Sequence, residues 1–334
     1  MTLKVLLPFQ IFAEKTGVSR IVAETRDGSF GLLPRRLDCV AALGPGILTY
    51  ETEADAPDMP QLRLAEGASA ETIDWPNLGY ADEYTKSFAI FDQLQEQRTV
   101  PTGIRMQLQY PTPLASIAGT IAPQDLPAVA PAYEQALFAD LDTLLDRLPH
   151  ERIAVQWDIA VEMGALEGAM GVTMPMEQIA PGIIRCLERV PDEVPAGLHL
   201  CYGDYGHQHW KQPESLRMQV DLVNAVTSAT QRRLDFVSFT VPQDRDDSAY
   251  FEPLSGLRTG ADTELNFALV PYHPADQAPG TTARQIERID SALVATAGGA
   301  RDWGICTECG MGRVDAADVP ELLDLHSTIL TSSR

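Results

Sequence analysis

The chain has 334 residues, of which 45% are hydrophobic and 22% charged, enough to bury the core of one barrel or of two medium domains. Its formal net charge of −22 gives an acidic surface that repels phosphates, which argues against nucleic acid and anionic membranes as partners. No apolar run reaches the ~18 residues of a membrane span, and the first residues lack the apolar stretch of a signal peptide. We therefore expect a soluble, cytoplasmic protein.

Residues 1–54 differ from the rest in charge and pattern. Their six basic and six acidic residues cancel, so residues 55–334 carry the whole net charge. Three short β-like runs occur here, without a long helical pattern between them: Leu3–Phe12, Ser19–Glu24 and Ile47–Thr52. Residues 51–70 are acidic and rich in proline and alanine, as linkers are. The sequence predicts a β-rich segment at 1–54, a linker at 55–72 and a second domain at 73–334.

The second domain alternates strand-like and helix-like segments. The predicted strands are short apolar runs at Gly103–Pro111, Arg152–Val161, Gly197–Tyr202, Leu234–Val241, Thr263–Val270 and Asp302–Cys309. The predicted amphipathic helices are Ala81–Gln97, Ala128–Leu148, Met176–Val190, Pro213–Ala229, Ala283–Ala297 and Val319–Leu330. Such alternation predicts an α/β fold with a parallel sheet, and six strand–helix units favour a TIM-type (β/α) barrel. A doubly wound open sheet is the alternative.

The cysteines are too few for a disulfide framework, so we consider them as core residues, nucleophiles or metal ligands. His199 and Cys201 are two positions apart on one predicted strand and therefore share a face. Cys309 ends the last strand. Two thiolates and one imidazole suit Zn²⁺ and leave a position for a substrate thiol. The structural alternative is two ordinary buried cysteines and a hydrogen-bonded core histidine.

Cys306 and Cys309 have the spacing of a C-x-x-C motif. In a regular strand Cys306 would point away from Cys309, toward the helices, so we interpret Cys306 as structural.

Further polar residues stand at predicted strand ends. Gln156 and Asp158 share a face and could bind a substrate, although Asp158 could equally be a buried carboxylate paired with a residue such as Arg105. Tyr272 and His273 end another strand and are candidate substrate contacts.

A loop rich in polar residues follows the strand that carries His199. Within it, His207 is a candidate general acid or base, and His209 is interpreted as a solvated loop residue. The segment Asp244-Arg245-Asp246-Asp247 follows the next strand and is interpreted as a solvated turn.

Residues 1–54 resemble the opening of the epsilon subunit of F-type ATP synthases. The resemblance is carried by Gly28-Ser29-Phe30-Gly31-Leu32-Leu33-Pro34 and by Ala41-Ala42-Leu43-Gly44-Pro45-Gly46-Ile47-Leu48. It implies about half of a β-sandwich and a contact with an ATP synthase subunit.

From about Ile73 the chain is similar to the barrel of the cobalamin-independent methionine synthases. His199-Leu200-Cys201-Tyr202 matches the family's H-x-C-Y strand, Glu308-Cys309-Gly310 its D-C-G strand, and Gln156-Trp157-Asp158 part of its Q-x-D-E-P strand. The resemblance implies zinc on His199, Cys201 and Cys309, a substrate ammonium held by Asp158, and activation of a small thiol for methyl transfer.

The sequence departs from that family in three respects. The fourth zinc ligand of the family is a Glu, and Thr240 stands at that position here. The Glu of the family's D-E-P motif corresponds to Ile159. The first two strand–helix units have no counterpart, so we expect an incomplete barrel. The leading hypothesis is a zinc-dependent methyl- or alkyltransferase-like enzyme with a small thiol and a methyl donor as partners. The alternatives are an epsilon-like binding protein and an inactive, fused or truncated barrel.

Overall fold

The computed structural model of the protein describes residues 3–7, 10–15, 18–25, 28–32, 49–52, 61–65, 67–169, 173–203, 209–272, 277–296 and 301–332. Two compact units divide the chain, one formed by residues 1–65 with 119–125 and the other by residues 66–118 with 126–334. Among the described helices, none combines the length and the apolar character that crossing a bilayer requires.

The first unit is rich in β-structure, as its sequence predicts. Strands β1 (Leu3–Leu7) and β2 (Gln10–Lys15) form an antiparallel pair. Strand β3 (Val18–Thr25) pairs antiparallel with both β4 (Gly28–Leu32) and β5 (Thr49–Thr52). The separability of residues 1–54 and the linker at 55–72 stay predictions.

The second unit contains a six-stranded parallel sheet in which the strands follow one another in chain order. The strands are β6 (Met106–Pro111), β7 (Ile153–Ile159), β8 (Ala196–Leu200), β9 (Phe236–Phe239), β10 (Glu264–Val270) and β11 (Gly304–Thr307). This curled sheet with helices is an incomplete TIM-type barrel, so the predicted fold class is confirmed, and each strand lies within the range predicted for it except β8, which begins one residue earlier.

In this unit α1 precedes the first strand of the sheet, α9 follows the last, and the other helices connect successive strands. They are α1 (Tyr80–Glu96), α2 (Pro113–Ile117), α3 (Leu126–Arg147), α4 (Ala160–Leu166), α5 (Met176–Arg189), α6 (Arg217–Ala229), α7 (Ser248–Phe251), α8 (Thr281–Val294) and α9 (Val319–Ser332). Their order matches the predicted alternation, apart from the short helices α2, α4 and α7, which the sequence analysis did not predict.

The two faces of the sheet differ in chemistry. On the face toward the helices, side chains such as Leu108, Val155, Trp157 and Phe267 are completely buried, and α3 covers part of this layer with an apolar stripe that includes Leu141. This layer is the core of the unit, because burying such side chains is the main favourable contribution to folding. The concave face carries mostly small and polar residues, together with Phe236, and leaves an open groove.

Candidate metal centre

The ends of β8 and β11 bring together the three residues expected to bind a metal. His199 lies on the concave face near the end of β8, and Cys201 follows that strand directly. Cys309 follows β11, which ends at Thr307, where the chain bends. The Sγ atoms of Cys201 and Cys309 are 3.1 Å apart, and Cys309 Sγ is 3.9 Å from His199 Nε2. All three donor atoms lie within 4.8 Å of one another.

These donors fit a tetrahedral Zn²⁺ ion. Bonds of ~2.3 Å to sulfur and ~2.1 Å to nitrogen separate tetrahedral donors by roughly 3.6–3.8 Å. On that geometry the thiols of Cys201 and Cys309 would have to move apart by about 0.7 Å, and the His199 nitrogen, up to 4.8 Å from the thiol of Cys201, would have to approach it. A soft donor set of two thiolates and an imidazole also has the chemistry that zinc prefers.

In the absence of a cation, the protonation of the two cysteines depends on the groups around them. The adjacent Cys309 thiol, together with burial and the nearby Asp158 carboxylate, raises the pKa of Cys201 well above its usual value. Two thiolates this close repel each other, so only a cation between them would favour ionisation of both.

The predicted orientation of Cys306 is wrong. Cys306 lines the concave groove together with Cys309, and its side chain hydrogen-bonds Ser238. Residue Cys306 pairs in register with Ala268, so strand alternation turns it inward. Cys309 reaches the same side because regular strand geometry stops at Thr307 and does not extend to Cys309. Cys306 is not part of the donor group.

Thr240, which the sequence aligns with a glutamate ligand of the resembled family, is used structurally. Its Oγ1 donates a hydrogen bond to the Leu200 carbonyl oxygen at 2.6 Å. The Gln219 amide bonds both backbone groups of Thr240, at 2.9 and 3.0 Å. This buried network joins the ends of β8 and β9 and adds no donor to the metal group.

The two predicted substrate residues of β7 lie beside the centre. Asp158 pairs in register with His199, and its charge acts on Cys201. Gln156 lines the concave groove and is 5% exposed. The alternative partner of Asp158, Arg105, donates a hydrogen bond from Nε to the Glu151 carbonyl oxygen at 3.1 Å.

Tyr272 holds the segment that carries Cys309. Its hydroxyl donates to the Cys309 carbonyl oxygen and lies 3.2 Å from that of Gly310. The Thr307 hydroxyl also donates to the Cys309 carbonyl oxygen, at 2.5 Å. Tyr272 therefore supports a candidate ligand, and its role as a substrate contact stays a prediction.

Two predicted site residues, His207 and His273, lie outside the described residues, as do Asp204 and Tyr205. His209 is described, and its Nδ1 lies 3.2 Å from Gln212 Oε1. Its Nε2 lies 3.6 Å from a carboxylate oxygen of Glu308, with only 6% of the His209 side chain exposed. The interpretation of His209 as a solvated residue is therefore wrong.

The acidic segment at 244–247 is ion-paired. Asp246 binds Arg284 at 2.7 Å, and Asp247 binds Arg245 at 2.8 Å. The Arg245 guanidinium lowers the pKa of Asp247, whose side chain also caps α7. These contacts tie the loop after β9 to α7 and α8, so the segment is a structural turn in which Asp246 and Asp247 have ion-pair partners.

The sequence analysis did not identify one buried carboxylate near the candidate metal centre. Glu162, in α4, is 2% exposed and accepts a hydrogen bond from the Thr112 hydroxyl. Burial, together with the nearby Asp158 charge, raises the pKa of Glu162 to about 7. A lone glutamate inside the apolar run Ala160–Leu166 was the available signal. The first two residues of that run, Ala160 and Val161, were interpreted as the end of a strand instead.

Comparisons with known proteins complete the description of the centre. No protein family model matches the chain, and no curated protein matches it. Among solved structures, the chain is similar to a candidate vitamin B12-independent methionine synthase from Listeria monocytogenes, with 13% identity and a TM-score of 0.44. That similarity covers 69% of this chain and 63% of the Listeria chain, less than two thirds of its length. None of these comparisons supports the resemblance of residues 1–54 to the epsilon subunit.

Proposed function

We propose that the chain is a zinc-dependent transferase-like barrel that activates a small thiol for methyl or alkyl transfer. The observation that carries the proposal is the group formed by His199, Cys201 and Cys309, whose donor atoms lie within 4.8 Å of one another. Functional groups of (β/α) barrels gather at the carboxyl ends of the strands, where this group lies.

The chemistry needs both a cation and an open coordination position. Zinc supplies a positive charge that keeps a bound thiol ionised near neutral pH. His199, Cys201 and Cys309 would hold it, and a site with three protein donors would have room for a substrate thiol. In an alkyl transfer the sulfur would form the new S–C bond as the bond between that carbon and its donor breaks, and the thiol proton would pass to solvent.

The neighbouring side chains would orient the substrate. Asp158 pairs with His199 in the sheet register, and its negative charge raises the pKa of Cys201. A substrate ammonium group beside Asp158 would therefore be attracted to this carboxylate. His207 is proposed as an acid or base from the sequence alone. Homocysteine methylation is not part of the proposal, because Thr240 stands where the resembled family has a fourth ligand and is bonded to Leu200.

The test is a metal analysis of matched cysteine variants. The purified protein should bind close to one zinc per chain, and Cys201→Ser should lose most of it because a hydroxyl is a far poorer ligand than a thiolate. Cys306→Ser is the control, since it removes a thiol from the same groove but outside the donor group. After replacement of zinc by Co²⁺, addition of cysteine should produce a new sulfur-to-cobalt absorption.

Two results would contradict the proposal. One is well-folded protein, judged by circular dichroism, that binds no zinc when zinc is supplied. The other is equal zinc loss in Cys306→Ser and Cys201→Ser, which would move the metal away from the proposed group.

A further inference from the structure

The concave face of the sheet forms a groove of about 620 Å³ that reaches the candidate metal centre. At one end it is lined by His199 and Cys309, and at the other by Arg105 and Glu264, which stand at or just before the starts of their strands. Pro111 is level with Asp158 in the sheet register, and Asp158 is level with His199 at the metal end. Arg105 precedes Pro111 by six residues. At ~3.3 Å per residue, the groove therefore extends about 20 Å along the strands.

The lining of this groove is unlike the interior of a closed barrel. Closed barrels fill their interior with bulky branched apolar side chains. Here the inward positions of β6, β7, β9 and β10 include Gln107, Gln109, Gln156, Ser238 and Asn266, with Ala154 and Phe236 as apolar members. The alternation is sharp on β6, where the intervening Leu108 and Tyr110 are completely buried on the opposite face. The concave face is thus a largely polar surface rather than a second core.

Three of these amides have unused hydrogen-bonding capacity. Within the described part of the chain, no hydrogen bond joins the side-chain amides of Gln107, Gln109 and Gln156 to another protein group. Gln156 is the most informative, because the residue is only 5% exposed and still lines the groove. A ligand in the groove that supplies donors and acceptors could therefore hydrogen-bond these amides directly.

Among the residues that line the groove, the charged ones lie at the end away from the metal group. Arg105 and Glu264 supply one charge of each sign there, whereas the side chains between them and the metal group include amides and a hydroxyl together with Ala154, Phe236 and Ile305. A ligand that matches this pattern has a sulfur at one end, a neutral hydrogen-bonding middle and charged groups at the far end.

We propose that the substrate thiol is an elongated, peptide-like molecule whose amide groups lie along Gln109 and Gln156. This inference rests on the proposed function, because the thiol is placed at the metal. It specifies the class of substrate: a thiol borne on a chain with two or more amide groups, rather than a single small amino acid. The amides of the chain meet the amides of the groove, and the terminal charges meet Arg105 and Glu264.

The experiment uses the full-length, cobalt-loaded protein and three probes. Cysteine supplies a thiol without the chain, glutathione a thiol on a chain with two amides, and S-methylglutathione the chain without a free thiol. Titrations followed by cobalt absorption should show that glutathione binds at least ten-fold more tightly than cysteine. S-methylglutathione should compete with glutathione without producing the sulfur-to-cobalt absorption.

Substitutions in the groove test whether its amides cause the difference in affinity between glutathione and cysteine. Gln156→Leu and Gln109→Leu keep the side-chain volume but remove the amides, so they should bring the affinity for glutathione close to that for cysteine. Zinc content should stay unchanged, and the affinity for cysteine should fall much less than that for glutathione. Gln178→Leu, an exposed change on α5, is the matched control and should leave all three affinities unchanged.

The outcomes separate this inference from the proposed function. If no thiol changes the cobalt spectrum, the proposed function fails and this inference fails with it. If cysteine changes the spectrum but glutathione binds no more tightly, the inference alone is wrong. Should a glutamine variant fail to fold, the comparison of the three probes on the unmodified protein still decides the matter.

Discussion

The Sγ atoms of Cys201 and Cys309 lie 3.1 Å apart although 108 residues separate them in the chain. The two strands that carry them are not neighbours, since β9 and β10 lie between β8 and β11. The contact therefore depends on the curvature of the sheet, which brings the ends of β8 and β11 toward each other. A flat sheet would hold them three strand spacings apart, about 14 Å.

Metal should protect Cys309 from alkylation. Cys309 and Cys306 are both half-buried and line the same groove, but only Cys309 belongs to the donor group. A zinc-bound thiolate is held by the metal, so we expect iodoacetamide to modify Cys309 roughly ten-fold more slowly with zinc than after chelation. Mass spectrometry of the labelled peptides measures this. Equal protection of Cys306 would contradict the assignment of the ligands.

Loss of the Tyr272 hydroxyl should weaken the metal centre without unfolding the protein. Tyr272→Phe removes the hydrogen bond to the Cys309 carbonyl oxygen, so the backbone that carries this thiol is less firmly positioned. Interactions one shell outside a metal site contribute about 10- to 100-fold to affinity, and we expect about a 10-fold loss in a zinc-chelator competition. Tyr84→Phe removes a similar bond, to the Gln109 carbonyl oxygen, and should leave zinc affinity unchanged. Equal losses in both variants would indicate a general effect on stability.

Glu162→Gln should change the pH dependence of stability. The pKa of Glu162 is raised to about 7 in the folded protein, so between pH ~4.5 and ~7 the folded state binds more protons than the unfolded state. Stability therefore falls as pH rises through this window, by on the order of 3 kcal/mol for a shift of this size. Glutamine remains neutral at all pH values.

Urea denaturation at pH 5 and pH 8 measures this effect. Relative to the unmodified protein, Glu162→Gln should be more stable at pH 8 than at pH 5. An identical difference at both pH values would show that Glu162 titrates normally. Because Glu162 lies outside the metal group, the measurement can be made without bound metal.

The strand and helix pattern was predictable because each element has a strong local signal. Leu137, Leu141 and Leu144, for example, recur at helical spacing and are all completely buried. The sequence Gln107-Leu108-Gln109-Tyr110 alternates polar and apolar residues, which is the pattern of a strand with one polar face, but the sequence analysis did not use it. The groove follows from that alternation.

The errors have a common physical cause, which is the behaviour of the chain at strand ends. Strand parity placed Cys306 among the helices because regular geometry was assumed as far as Cys309, whereas β11 ends at Thr307. The first turn of α4 was included in a strand, since Ala160 and Val161 continue the apolar run of β7. The residue at which a strand ends depends on tertiary contacts, and an apolar run in the sequence carries no information about those contacts.

A buried ion pair before β9 should be important for stability. Arg232 donates to Asp235 at 2.7 Å and to the carbonyl oxygens of Val190 and Val194 at 2.7 and 3.1 Å. Only 5% of the Arg232 side chain and 8% of the Asp235 side chain is exposed. Arg232→Met leaves a buried carboxylate and two carbonyl groups with weaker partners, and we expect a loss of about 3–5 kcal/mol in urea denaturation.

Arg233 provides the matched control for that change. Arg233 pairs with the same carboxylate, but 62% of its side chain is exposed, so Arg233→Ala should cost less than about 1 kcal/mol. Similar losses in the two variants would show that the burial of Arg232 contributes nothing.

Gly197→Ala should disturb both the sheet and the metal centre. Gly197 pairs with Phe236 across β8 and β9, and a Cβ atom added there would lie 2.3 Å from the Phe236 ring and 2.4 Å from its backbone oxygen. The ring could rotate, but the backbone oxygen moves only if β9 shifts. Overpacking of this kind costs about 1–3 kcal/mol.

The same substitution should also lower zinc affinity, because His199 is two residues further along β8, on the same face. We expect a lower midpoint in thermal unfolding together with a several-fold loss of zinc affinity. Gly256→Ala is the control, since an added Cβ meets no atom within 4 Å there, and both quantities should stay unchanged. A Gly197→Ala protein as stable as the unmodified one would mean that β8 and β9 lie further apart than in the structure. A destabilised variant with normal zinc affinity would show instead that the His199 imidazole is positioned independently of its strand.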